Sequence, residues 1–96
     1  MSKQTGYRRA PDDAVVVRPL DDITLIYHRP SGQTHMVVSP VPEIWAAMDP
    51  AVVMDADLVR ERLALSYELD EAEEDMRAAI AAHLDEMAAL GLVRRA

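Results

Sequence analysis

The amino-acid sequence predicts an α+β fold in which a three-stranded antiparallel sheet is followed by three helices, in the order β-β-β-α-α-α. Two observations predict it. Runs of β-branched residues broken by turn residues fill the first part of the chain, and apolar residues at three- and four-residue steps fill the rest. Strand and helix signals do not alternate, which sets aside a βαβ arrangement. The 96 residues suffice for one domain. It is expected over 13–96, behind a flexible tail of residues 1–12 that shows no periodicity.

The strands come first. Residues 14–18 are a β-branched run stopped by Pro19, and residues 23–28 are a second, reached through Asp21 and Asp22. Arg29, Pro30, Ser31 and Gly32 make a turn, with proline presetting φ and glycine free to take a positive φ. A third strand over 33–38 then forms a hairpin with the second. Its alternation separates Thr34, Met36 and Val38 from His35, Val37 and Ser39, and one of these sets faces the core.

The helices follow. Ser39 is placed to cap a helix beginning at Pro40, along which Val41, Ile44, Trp45 and Met48 share a face, so the only tryptophan is expected to anchor the core. Asp49 and Pro50 end that helix. Asp55 or Asp57 caps the second, in which Val59, Leu63 and Tyr67 repeat every four residues as far as about Leu69. The third, over 70–93, is the spine of the domain. Asp70 and Glu73 have the spacing of a capping box, and Met76, Ile80, Leu84, Met87 and Leu90 form one stripe. Gly91 stands where a left-handed C-cap residue is wanted, and Leu92 with Val93 can fold back on the last turn.

Composition narrows the function. Without cysteine there is no disulfide, thiolate nucleophile or Cys-based zinc site, and a reducing cytoplasm fits. No signal peptide or membrane span is visible, so no membrane partner is expected. A net charge of −7 argues against nucleic acid, which normally meets a basic face. Lys3, Arg8 and Arg9 make a small cationic cluster, whereas 68–75 carries six carboxylates in eight positions, a solvated face that also suits a helix N-terminus.

Catalysis has little to stand on. His28 and His35 flank the hairpin turn, and with Asp22 or Glu86 they suggest a metal site, but no ligand spacing supports one, and His83 lies on a helix. Nucleophile-elbow, phosphate-loop and dinucleotide glycine signatures are missing from a chain with three glycines, so neither an enzyme nor a cofactor is expected. A binding module is physically easier. A three-stranded sheet has two edges, and an exposed edge offers unpaired N–H and C=O groups to an extended peptide. Apolar groups of the long helix beside such an edge, Met76 and Ile80 among them, would give selectivity.

The order and spacing of these features resemble a known family. They are the turn at Ser31-Gly32 with Thr34-His35 and Ser39, the helix stretch Ile44-Trp45-Ala46-Ala47-Met48-Asp49, then Asp57-Leu58-Val59, Leu63-Ala64 and Tyr67. Asp75-Met76, His83-Leu84, Met87 and Leu90-Gly91-Leu92-Val93 complete them. Together they resemble the PqqD-like proteins, small peptide chaperones and precursor-peptide recognition elements, in the branch associated with HPr-kinase-related proteins. The resemblance covers about 15–93 and implies a winged-helix-like fold without catalytic activity. It also implies a leader peptide bound as an added strand between the third strand and third helix, and presented to a modifying enzyme. Carried over by position, the groove would be lined by Thr34, Met36 and Val38, or by the alternate strand face, and by Met76, Arg77, Ile80 and Leu84. Pro40, Pro42 and Asp49-Pro50 depart from the family's usual loops. The adaptor is expected to be a monomer or weak homodimer. Its rivals are a structural subunit or regulator of an HPr-kinase-related protein and a DNA-binding winged helix, the latter opposed by a long helix whose only Lys or Arg before Gly91 is Arg77.

Overall fold

The β-branched runs pair as antiparallel strands. The computed structural model describes residues 5–68 and 72–96. Strand β1 (Tyr7–Arg9) and a 3-10 turn (Asp12–Ala14) precede a sheet of β2 (Val15–Leu20), β3 (Ile23–His28) and β4 (Gln33–Val38), in that spatial order. Helices α1 (Val41–Ala47), α2 (Ala56–Ala64) and α3 (Glu73–Ala89) follow, and β5 (Val93–Arg95) runs back antiparallel to β1. The expected three-stranded sheet followed by three helices is present, and β1 with β5 adds a second, two-stranded sheet.

Local chemistry explains most boundaries. Asp21, at φ 52°, makes the tight turn between β2 and β3, and Gly32, at φ 70°, serves the turn between β3 and β4. Asp55 caps α2 by accepting from the Leu58 amide at 2.9 Å. Gly91, at φ 82°, ends α3 with paired bonds, its own N–H to the Ala88 carbonyl and the Leu92 N–H to the Met87 carbonyl.

Several expectations are corrected. β2 does not stop at Pro19 but continues to Leu20, because β2 is an edge strand and an edge tolerates a residue without an N–H. The tail expectation fails for Tyr7–Arg9, where Tyr7 is only 4% exposed and exchanges backbone hydrogen bonds of 2.8 Å with Met54. Ser39 does not cap α1. Its hydroxyl donates to the Glu43 carboxylate instead, and α1 starts at Val41 with Pro42 in its first turn. Helix α2 ends at Ala64, leaving Tyr67 exposed beyond it. Helix α3 begins at Glu73 with Ala72 at its N-cap, and Asp70, the cap the spacing suggested, lies outside the described residues.

The core lies between the inner face of the sheet and the helices. Val15, Ile26 and Val37 meet Ile44, Trp45 and Met48 of the α1 segment, Val59 and Leu63 of α2, and Ile80, Leu84 and Met87 of α3. Trp45 is the anchor its position implied: it is buried, and its Nε1 donates to the Leu92 carbonyl at 3.1 Å. Arg9 stacks 4.2 Å over the Trp45 ring and closes that side. At the other end, the Tyr7 hydroxyl donates to Asp85 Oδ1 at 2.6 Å and Arg95 Nη2 donates to the same oxygen at 2.7 Å, tying β1 and β5 to α3.

This last cluster sets a pH dependence. The hydrogen bond from Tyr7, then that from Arg95, hold the Asp85 carboxyl below the usual carboxylate range, while burial and then Asp85 push the Tyr7 hydroxyl up. A lowered carboxylate contributes stability that is lost as pH falls, and a raised tyrosine contributes stability that is lost as pH rises. Thermal unfolding of the parent is expected to lose midpoint temperature below about pH 4 and again above about pH 10. Asp85→Asn is expected to flatten the acid limb. Gly91→Ala should cost about 1–2 kcal/mol in denaturant unfolding, since the positive φ disfavours a side chain and its Cβ would meet the His28 ring at 3.1 Å.

Candidate functional site

Backbone pairing decides which edge of the sheet is available. The Arg29 N–H donates to the Ala14 carbonyl, so alternation points Val16, Arg18 and Leu20 toward β3, with their partners Tyr27, Leu25 and Ile23 pointing back. Thr24, Ile26 and His28 must then bond β4, where their partners are Val37, His35 and Gln33. The remaining β4 residues, Thr34, Met36 and Val38, turn their N–H and C=O groups outward. Among the described residues no strand pairs with that edge. On β2 the outward set is Val15, Val17 and Pro19, and the proline, last of the three, removes one donor from any further ladder.

The side chains of β4 settle the alternation. Val37 is buried and His35 half-buried on the core face, whereas Met36 is 68% and Val38 53% exposed on the opposite face. There Met36 stands beside Leu25 and Val38 beside Ile23, with Leu20 beyond Ile23 on β2, so an apolar sheet surface borders the open edge.

A cavity of about 180 Å³ opens past the end of β4, at Pro40, two residues beyond Val38. Glu43 and Ile44 of α1, Leu63, Tyr67, and Met76, Ala79, Ile80 and His83 of α3 complete its walls. It is about large enough for one branched or aromatic side chain, and its lining is mainly apolar. Glu43, with the Ser39 hydroxyl bonded to it, and His83 supply polar groups at this apolar site.

The seven residues expected at the site therefore divide. Thr34, Met36 and Val38 hold the open edge, and Met76 and Ile80 line the cavity. Ile80, at 1% exposure, is chiefly core, and Leu84, at 0%, is wholly core and reaches neither feature, because both lie in the buried stripe of α3. Arg77 lies between helices, its Nε bonded to Asp57 Oδ1 at 2.6 Å. Tyr67, Pro40, Glu43 and His83 were not anticipated. Tyr67 carried a misleading signal: its four-residue spacing after Leu63 suggested a core position, but the helix ends before it and leaves the ring at the cavity wall.

Among the described residues no cluster of three or more histidines and carboxylates is arranged to hold a metal, and no helix is long and apolar enough to cross a membrane. No protein-family model and no curated protein matches the chain. A solved structure does share its fold: TbiB1 in complex with the TbiA(beta) leader peptide, similar over 91% of this chain and 94% of that one, with a TM-score of 0.66 at 17% sequence identity.

Proposed function

We propose that this chain is a non-catalytic adaptor that binds a precursor peptide as an added strand and presents it to a modifying enzyme. The observation that carries this reading is the outward row of backbone groups on Thr34, Met36 and Val38, ending at an apolar cavity, on a sheet whose other edge is interrupted by Pro19. The fold shared with a leader-peptide complex supports it, as does the resemblance to PqqD-like proteins.

In this mechanism the peptide runs along β4, toward α3, and the ladder of main-chain hydrogen bonds provides affinity. Selectivity comes from the side chains. Those on the core side reach toward Met76, Ile80 and Tyr67, and those on the other side lie against Met36 and Val38. Holding the peptide beside an enzyme, an HPr-kinase-related one in the narrower reading, makes the modification step effectively intramolecular, at an effective concentration of order millimolar. A DNA-binding role is less well supported, since the only cation of α3, Arg77, is bonded to Asp57.

The test begins with affinity capture of a peptide from the native organism, followed by its synthesis and titration. Strand addition is expected to slow hydrogen exchange at Thr34, Met36 and Val38 by about tenfold or more, leaving Val17 unchanged. Met36→Pro removes one outward donor and spares the bonds to β3, so it should keep the fold while weakening the peptide by about 1 kcal/mol. Met76→Glu is expected to weaken peptides with a large apolar side chain at the cavity. Unchanged exchange at these three amides on saturation would sink the proposal.

A further inference from the structure

The pairing of β1 with β5 gathers charge that the sequence keeps at its two ends. Four of the ten Lys and Arg residues, Arg8, Arg9, Arg94 and Arg95, fall on these two short strands of a chain whose net charge is −7. Two of the four are spoken for. Arg9 is bonded to Asp12 and to the Met48 carbonyl, and Arg95 to Asp85. Arg8 and Arg94 are exposed and directly opposite each other in the register, and among the described residues neither has an ion-pair or hydrogen-bonding side-chain partner. Like charges directly across a strand pair repel, and among the described residues no carboxylate offsets this pair.

Beside the pair lies a cavity of about 420 Å³. Arg8, Arg9 and Arg94 supply its charge, His28 one further polar group, and Pro11, Pro30 and Pro50 apolar walls. The His28 Nδ1 is occupied by the Ser31 hydroxyl at 2.8 Å, which fixes the ring. No residue of β4 lines this cavity, so it is separate from the open edge.

We infer that this cavity is a second recognition site, for a carboxylate-rich peptide segment. Planar guanidinium forks match carboxylates in pairs, and proline walls suit the methylene stems of glutamate. A phosphate site would draw on free backbone N–H groups. Here the three prolines have none, and the amides of Ala10, Ala14 and Gly91 are already bonded to the carbonyls of Leu92, Pro11 and Ala88. The inference does not depend on peptide addition at β4.

The test is a titration of the full chain, followed by the side-chain Nε–H signals of its arginines in NMR. The probes are a terminally blocked tetraglutamate peptide, the matching tetraglutamine peptide, and inorganic phosphate. Tetraglutamate is expected to shift Arg8 and Arg94, to bind less tightly as salt is raised, and to lose about tenfold in affinity in the Arg8→Gln/Arg94→Gln double variant. Because that substitution removes a repelling pair, its unfolding midpoint should equal or exceed the parent's, which separates lost binding from lost fold. Arg62→Gln, on exposed α2 surface, and Met36→Pro should leave tetraglutamate binding intact. Equal binding by the double variant, or of tetraglutamine by the parent, would overturn the inference. Tighter binding of phosphate than of tetraglutamate at the same arginines would overturn the peptide assignment.

Discussion

One carbonyl joins the parts of this domain that are farthest apart in sequence. The Leu92 oxygen accepts from Trp45 Nε1 at 3.1 Å and from the Ala10 N–H at 3.0 Å, while the Leu92 N–H bonds Met87 in the cap of α3. A helix end, the only tryptophan and the N-terminal strand thus meet at a single peptide group. Gly91 makes this possible, since its positive φ turns the chain sharply enough to bring Leu92 and Val93 under α1. The pairing of β5 with β1 depends on that turn, and with it the placement of Arg9 over Trp45 and of Tyr7 against Asp85.

With the two ends of the chain joined in this way, the three-stranded sheet does not have to hold the termini. Its inner face packs on the helices through Val15, Ile26 and Val37, and among the described residues no strand pairs with the β4 edge and Met36 and Val38 of its outer face are exposed. The two cavities lie in different parts of the fold, an apolar one past the end of β4 and a cationic one beside the two-stranded sheet. Their chemistry differs accordingly. One is lined mainly by apolar groups, and the other presents two guanidinium groups that have no ion-pair partner among the described residues.

The sequence showed the fold where local chemistry and burial agree. The turns at Asp21 and Gly32, the Asp55 cap, the Trp45 anchor and the Gly91 ending follow from residues that suit few other conformations. The two-stranded sheet was hidden because Tyr7-Arg8-Arg9 and Val93-Arg94-Arg95 are too short for periodicity and polar enough to pass for frayed ends, and only long-range pairing buries Tyr7. Pro19 misled for a related reason: proline ends a central strand, and nothing local says that β2 is an edge. The candidate edge was legible in Thr34, Met36 and Val38, whose facing alternation alone could not settle. The helix side was less so, because one stripe of α3 contains both core residues such as Leu84 and cavity residues such as Met76, and spacing does not tell them apart.

Pro19 also has a meaning for assembly. A sheet that accepts strands on both sides can grow without limit, copy after copy, which is how fibrils propagate. Here growth has one direction. If two copies met through β4, each would cover the other's open edge, and the outer edges of the resulting six-stranded sheet would both be β2, each carrying its proline. The association would close at two, so the exposed edge does not commit the protein to polymerisation.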